Sequence, residues 1–233
     1  VIPTGGLGMN TGVGDAFDLS WKLAATLQGW GGPKLLCSYE IERRQVGERN
    51  IGASRYANLG RRKWRSMWRP NIREQSPAGQ QSRDILKMVA NVEQRKTNEM
   101  VGAELGYRYV DSPVIMDIPG GPEHLFREYQ PSTWPGARLP HVWLDDGTAM
   151  QDRIPVEGYT LLRLGGTQTP TEPLEMALES HGPPVTVLDI PDRVVREVYG
   201  HDLVLLRPDM HVVWRGNTLP EDSKSIATTA TGH

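Results

Sequence analysis

Val1-Ile2-Pro3-Thr4-Gly5-Gly6-Leu7-Gly8-Met9-Asn10-Thr11 opens the chain, and the reading of this stretch sets the fold. Gly5, Gly6 and Gly8 let the backbone turn sharply and leave it bare, so that another surface can come close. Ala16, Leu19, Ser20, Leu23, Ala24 and Leu27 follow at spacings of three and four, which predicts an amphipathic helix over 15–28, stopped by Gly29, Gly31 and Gly32. A glycine turn feeding a helix offers unpaired N–H groups and the positive dipole end to an electron-rich or anionic ligand. The same pattern also suits a capped turn with no ligand. It is not the Gly-x-Gly-x-x-Gly nucleotide fingerprint, since no strand precedes it within this chain, nor a phosphate loop, since no Gly-Lys-Ser/Thr follows. The turn stands at the first residues without a Met or a polar leader, so we expect the beginning of the protein to be missing.

Outward from this turn, Pro33, Leu36, Tyr39, Arg43 and Val46 predict a second, long helix, broken near Gly60. Arg61, Arg65 and Arg69 share a stripe beside Trp64, Met67 and Trp68, which reads as a charged outer face over a Trp core rather than a nucleic-acid surface. Residues 80–105 carry Ile85, Met88, Val89, Val92 and Leu105 at helical spacing. The pattern then changes to short β-branched or apolar runs: Val142–Leu144, Tyr159–Leu164, Val185–Leu188, Leu203–Leu206 and His211–Arg215. One helix, Pro173–His181, lies among them. Asp146-Gly147 and Pro208-Asp209 mark turns. The expected organisation is a mostly helical part over 1–112, a Pro-rich connector over 113–135, a mixed strand and helix domain over 136–220, and a flexible tail over 221–233, an α/β (α+β) protein.

The 233 residues carry 26 basic and 28 acidic side chains, a formal charge of −2, so no global field selects a polyanion or a membrane as partner. Charge is uneven, with 14 Lys and Arg against 7 Asp and Glu over 40–99 and 10 against 19 over 100–233, which supports two structural units. No run of about 18 apolar residues predicts a membrane span. A single cysteine, Cys37, excludes an internal disulfide and a Cys-based metal site, fits a reducing cytoplasm, and reads as a small packed side chain. The histidines show no paired metal-ligand spacing, and no catalytic side chain or metal site is assigned.

Pro3-Thr4-Gly5-Gly6-Leu7-Gly8-Met9-Asn10-Thr11-Gly12-Val13-Gly14-Asp15-Ala16-Phe17-Asp18-Leu19-Ser20-Trp21-Lys22-Leu23 closely resembles the second flavin-contacting motif of the FAD-dependent aromatic hydroxylases, the phenol hydroxylase and para-hydroxybenzoate hydroxylase group. Ser38–Arg44 and Trp134–Leu144 also resemble this family, in its order. The resemblance implies that backbone N–H groups of Met9 and Asn10 bind the flavin pyrimidine carbonyl. It also implies that Gly6, Leu7 and Gly8 lie against the flavin or its phosphate arm, and that the Pro3 carbonyl faces the substrate ring. It further implies a helical C-terminal part of an FAD/substrate domain followed by a thioredoxin-like domain. The implied cofactor is FAD with NAD(P)H as co-substrate, and the implied substrate is a phenolic or polyketide-like aromatic. An N-terminal Rossmann-containing chain and a homodimer are expected as partners. Residues 119–220 hold no cysteine, so dithiol chemistry is excluded for the thioredoxin-like domain, and a non-redox interaction or dimerisation module stands as the alternative reading.

Overall fold

A computed structural model describes residues 2–233. Two long helices lead: α1 (Leu7–Leu27) and α2 (Pro33–Arg65). Both run through each of the two compact units into which the chain divides. The first unit takes residues up to Val13, then Val46–Gly106 and His124–Tyr129, and adds α3 (Pro77–Glu93), α4 (Arg95–Asn98) and α5 (Val101–Leu105). Its core is small: Leu7, Ala53, Met100 and Ala103, with Tyr56 and Phe126 packed against it. Arg49 ties it together by donating to the carbonyls of Ala103, Gly102 and Leu125. The expected break at Gly60 does not occur, and α2 continues to Arg65. The glycine serves approach instead, because a Cβ there would overlap the Glu93 carbonyl at the end of α3. The helix expected over 80–105 is three helices, since Ser76 caps α3 at Pro77 and the chain turns after Glu93 and Asn98. Trp68, expected in a core stripe, is exposed, as are Ile85, Met88 and Val92 on α3.

The second unit comprises Gly14–Gln45, Tyr107–Glu123 and Gln130–His233. The segment expected as a connector is therefore divided, with His124–Tyr129 packing in the first unit and its flanks in the second. Here β1 (Tyr159–Leu164), α6 (Glu172–Glu179), β2 (Val185–Ile190), α7 (Arg193–Tyr199), β3 (Leu203–Leu206), β4 (Val212–Gly216) and α8 (Ser223–Thr231) follow in order. The sheet order is β2-β1-β3-β4, with β1 parallel to β2 and β3 antiparallel to β1 and β4. This is the thioredoxin-like topology. Alternation along the strands gives the sheet two buried faces. Tyr159, Leu161, Leu205 and Val213 pack against α6, α8, Trp21, Trp30 and Leu35. Leu162, Leu164, Val204 and Leu206 pack against Val195, Tyr199, Met150 and Ile154. The Val142–Leu144 run forms only an isolated bridge, Trp143 to Ala149, closed by the Asp146-Gly147 turn.

Residues 221–233 correct the expectation of a flexible tail. They form α8, capped by Asp222, whose carboxylate accepts from Ser225 N–H, and Ile226, Ala227 and Ala230 sit in the core. The helix reads as a tail because Ser and Thr surround those three positions, yet their spacing of one and four residues is a helical stripe. Gly32 N–H donates to the Thr231 carbonyl at 2.8 Å and Lys34 N–H to the Gly232 carbonyl at 2.9 Å. A Cβ on Gly32 would overlap Gly232, and a Cβ on Gly232 would overlap the backbone of Leu35.

The face of α1 is also corrected. Leu23 and Leu27, expected to point inward, are exposed, and the buried positions are Asp18, Trp21, Lys22 and Ala25. Two charged residues displace the leucines because each has its hydrogen bonds satisfied inside, as the next section describes. Cys37, expected as a packed side chain, is exposed.

Candidate functional site

The glycine turn closes with Gly6 N–H donating to the Pro3 carbonyl at 3.2 Å. Gly5 and Gly6 hold φ values of +90° and +68°, left-handed conformations that glycine adopts without penalty. A Cβ on Gly6 would meet nothing within 4 Å, so the backbone there lies open. Helix α1 therefore starts at Leu7 rather than near residue 15. Leu7 is buried and anchors the turn, whereas Pro3, Gly6, Gly8, Met9 and Asn10 are exposed, Met9 at 78%. The anchor and the exposed edge alternate within one helical turn, which presents the N-terminal amides outward while the apolar side chain holds the turn down.

Polar bonds fix this first turn. Asn10 Nδ2 donates to the Gly6 carbonyl at 2.9 Å, and Thr11 Oγ1 donates to the Leu7 carbonyl at 2.6 Å. Asn50 of α2 in turn donates through Nδ2 to Thr11 Oγ1 at 2.8 Å. No titratable side chain stands among residues 3–11, so whatever this edge binds is held by backbone dipoles and by shape. A bare backbone, an exposed helix N-terminus and two glycines at positive φ leave an open edge that a flat, electron-rich group can approach.

A second constellation, in the other unit, escaped sequence reasoning. Arg207 has no exposed surface, and its guanidinium donates to Asp209 (Nε to Oδ1, 3.0 Å; Nη2 to Oδ2, 2.5 Å), Glu42 (Nη1 to Oε1, 2.6 Å) and Asp18 (3.4 Å). Lys22 donates to Asp18 at 2.8 Å and Glu42 at 2.7 Å, and Ser112 Oγ donates to Glu42 at 2.5 Å. Burial alone pushes the Glu42 carboxyl up, but Arg207 and Lys22 outweigh it and hold it below the ordinary value. Burial likewise raises Asp209, and Arg207 overcomes it to leave that carboxyl well below. For Asp18 burial wins over Arg207 and Lys22, and its carboxyl is raised. Beside the cluster, Arg43 donates to Asp15 at 2.8 Å and to the Tyr109 hydroxyl at 3.1 Å. The sequence signal for all this was an Arg-Pro-Asp turn and charges at the inward positions of two helices. Only the long-range pairing gives them meaning.

The chain combines an open glycine turn at a helix N-terminus with a thioredoxin-like unit that holds no cysteine. Residues 1–54 match the FAD binding domain family and residues 132–232 the aromatic-ring hydroxylase C-terminal family. The chain belongs to the FAD-dependent aromatic-ring hydroxylases. It is 36% identical to the FAD-dependent monooxygenase apdD of Emericella nidulans, over 99% of this chain and 39% of that protein. It is 29% identical to the phenol 2-monooxygenase of a Pseudomonas species, over 96% of this chain and 42% of that protein. Among solved structures, RebC-10x, described as native and bound to K252c, superposes with a TM-score of 0.90 at 32% identity, over 100% of this chain and 44% of that one. The chain thus spans about two fifths of the length of the curated relatives it matches.

Proposed function

We propose that these residues form the part of an FAD-dependent monooxygenase that holds the pyrimidine edge of the flavin and one wall of the pocket for a phenolic or polyketide-like aromatic. The observation that carries this reading is the open glycine turn on the N-terminus of α1, inside the segment that matches the FAD binding domain family. Backbone N–H groups of Met9 and Asn10 donate to the ring carbonyl, and the helix dipole behind them favours negative charge there. Gly6, Leu7 and Gly8 let the ring or its phosphate arm lie flat against the chain. The Pro3 carbonyl, which already accepts from Gly6, keeps a second lone pair for the substrate side. When bound, FAD carries two electrons from NAD(P)H to O2, one oxygen atom entering the aromatic ring and the other leaving as water. The chain itself orients the flavin and keeps solvent from its edge.

The dinucleotide cradle comes, in this reading, from a Rossmann-containing N-terminal segment, and a homodimer working in the cytoplasm, where NAD(P)H is supplied, completes the assignment. Among the described residues no helix is long and apolar enough to cross a membrane. Similarity across both the turn and the C-terminal unit supports the flavin reading over a non-redox interaction module. The test is Gly8→Leu in the intact polypeptide. A side chain on the exposed turn should raise the FAD dissociation constant at least about tenfold, which is about 1.4 kcal/mol. Flavin absorbance per chain unchanged after desalting would remove the assignment.

A further inference from the structure

Strand β2 ends the sheet order β2-β1-β3-β4, so one of its two edges has no neighbouring strand. The other edge pairs in parallel with β1, in unbroken register from Tyr159 with Val185 to Leu164 with Ile190. Tyr159 N–H donates to the Pro184 carbonyl and Gly165 N–H to the Ile190 carbonyl, both at 2.9 Å. In a parallel ladder those two bonds fix the phase: the main-chain groups of Thr186, Leu188 and Ile190 face β1, and those of Val185, Val187 and Asp189 face outward. Among the described residues, nothing bonds to the outward three. Folded proteins blunt such an edge with lysine, proline or a bulge, because it is a template for another chain. Here Pro184 and Pro191 stand outside the strand, and its six residues carry no lysine, proline or bulge. Its one charge, Asp189, is taken up by Arg163 through Nε and Nη2, each at 2.7 Å.

A cavity of about 730 Å³ opens at the C-terminal end of this strand, and Leu188 and Ile190 line it together with Leu144 and Val194. A strand added to β2 would stand about 4.8 Å out and send every second side chain to the face of Leu188 and Ile190, over the cavity. The charges on the lining narrow the occupant. Asp146 is matched by Arg153 and Asp189 by Arg163, which leaves Asp145 and Asp192 against Arg193 alone. A second copy of β2 would bring a further Asp and no Lys or Arg, so the complement is a basic chain. We propose that the open edge of β2 takes up, by strand addition, an extended segment of a partner polypeptide that is apolar at alternate positions and carries lysine or arginine. Its main chain bonds to Val185, Val187 and Asp189, and its apolar side chains seat in the cavity. The surface lies wholly in the second unit and is independent of the flavin reading.

The test is amide hydrogen exchange, read by NMR on the 233-residue chain during titration with a capped peptide of lysine, valine, threonine, leucine, threonine, valine and lysine. The amides of Val185, Val187 and Asp189 should gain protection saturably, and those of Thr186, Leu188 and Ile190, already bonded to β1, should hardly change. In Val187→Pro, which removes an outward donor and none of the bonds to β1, the peptide should bind about tenfold more weakly. In Asp145→Lys, an exposed change away from the sheet, binding should weaken about fivefold. Absence of this alternating protection, or undiminished binding in both variants, would overturn the proposal. So would equal protection by the same peptide with glutamate in place of lysine, since the partner would then not be basic. Protection that needs no peptide and rises with protein concentration would assign the edge to a second copy instead.

Discussion

Arg207 shows how much one residue can organise. Its guanidinium fork engages Asp209 with two nitrogens, reaches Glu42 with the third, and lies over the rings of Trp21 and Tyr109 at 5.1 and 5.2 Å. Removing one partner of such a cluster leaves uncompensated charge in the interior. Arg207→Met is therefore expected to destabilise the chain by about 3–5 kcal/mol, read as a fall in the urea midpoint. Arg207→Lys should recover only part of that, because an ammonium cannot reproduce the fork. None of this was legible in the sequence. Arg207, Pro208 and Asp209 correctly announced a turn, but Glu42 lies 165 positions away, and no local pattern marks a pair at that distance. The glycine turn at the start of α1 is the opposite case. Gly5 and Gly6 are legible because the backbone itself demands them, as their positive φ shows.

At the level of elements, spacing located helices better than it oriented them. The apolar positions Leu23 and Leu27 gave α1 its period but face outward, because Asp18 and Lys22 take the inward side through bonds that a hydropathy pattern does not see. Strands β1, β2, β3 and β4 were legible from β-branched and apolar runs between turn residues. The α7 helix was missed because it is only seven residues long and follows β2 after two residues. What holds it is its cap: Asp192 Oδ1 accepts from the N–H groups of Val194 and Val195 at 2.8 and 3.3 Å. Asp192→Ala is expected to cost about 1 kcal/mol, and amide exchange in residues 193–199 should accelerate before that of the sheet.

Over the whole molecule, the buried charges set an acid limit. Glu42 and Asp209 are held below their ordinary values of 4.5 and 3.8, so their stabilisation is fully present above those values and is lost as pH falls through the lower, folded ones. Asp18, raised by burial, has the opposite sign. Its contribution is present at low pH and lost as pH rises, so its protonation offsets part of the acid loss. The urea midpoint should drop as pH falls below about 4, and in Glu42→Gln that acid drop should flatten. The seating of α8 on the bend between α1 and α2 acts on a different axis, that of time. Backbone bonds at Gly32 and Lys34 need Thr231 and Gly232, so the bend cannot close until translation has passed residue 232. Trp21, Trp30 and Leu35 are made nearly two hundred residues before the α8 positions Ile226, Ala227 and Ala230 that cover them, so the nascent chain holds apolar surface open to aggregation that the folded unit buries.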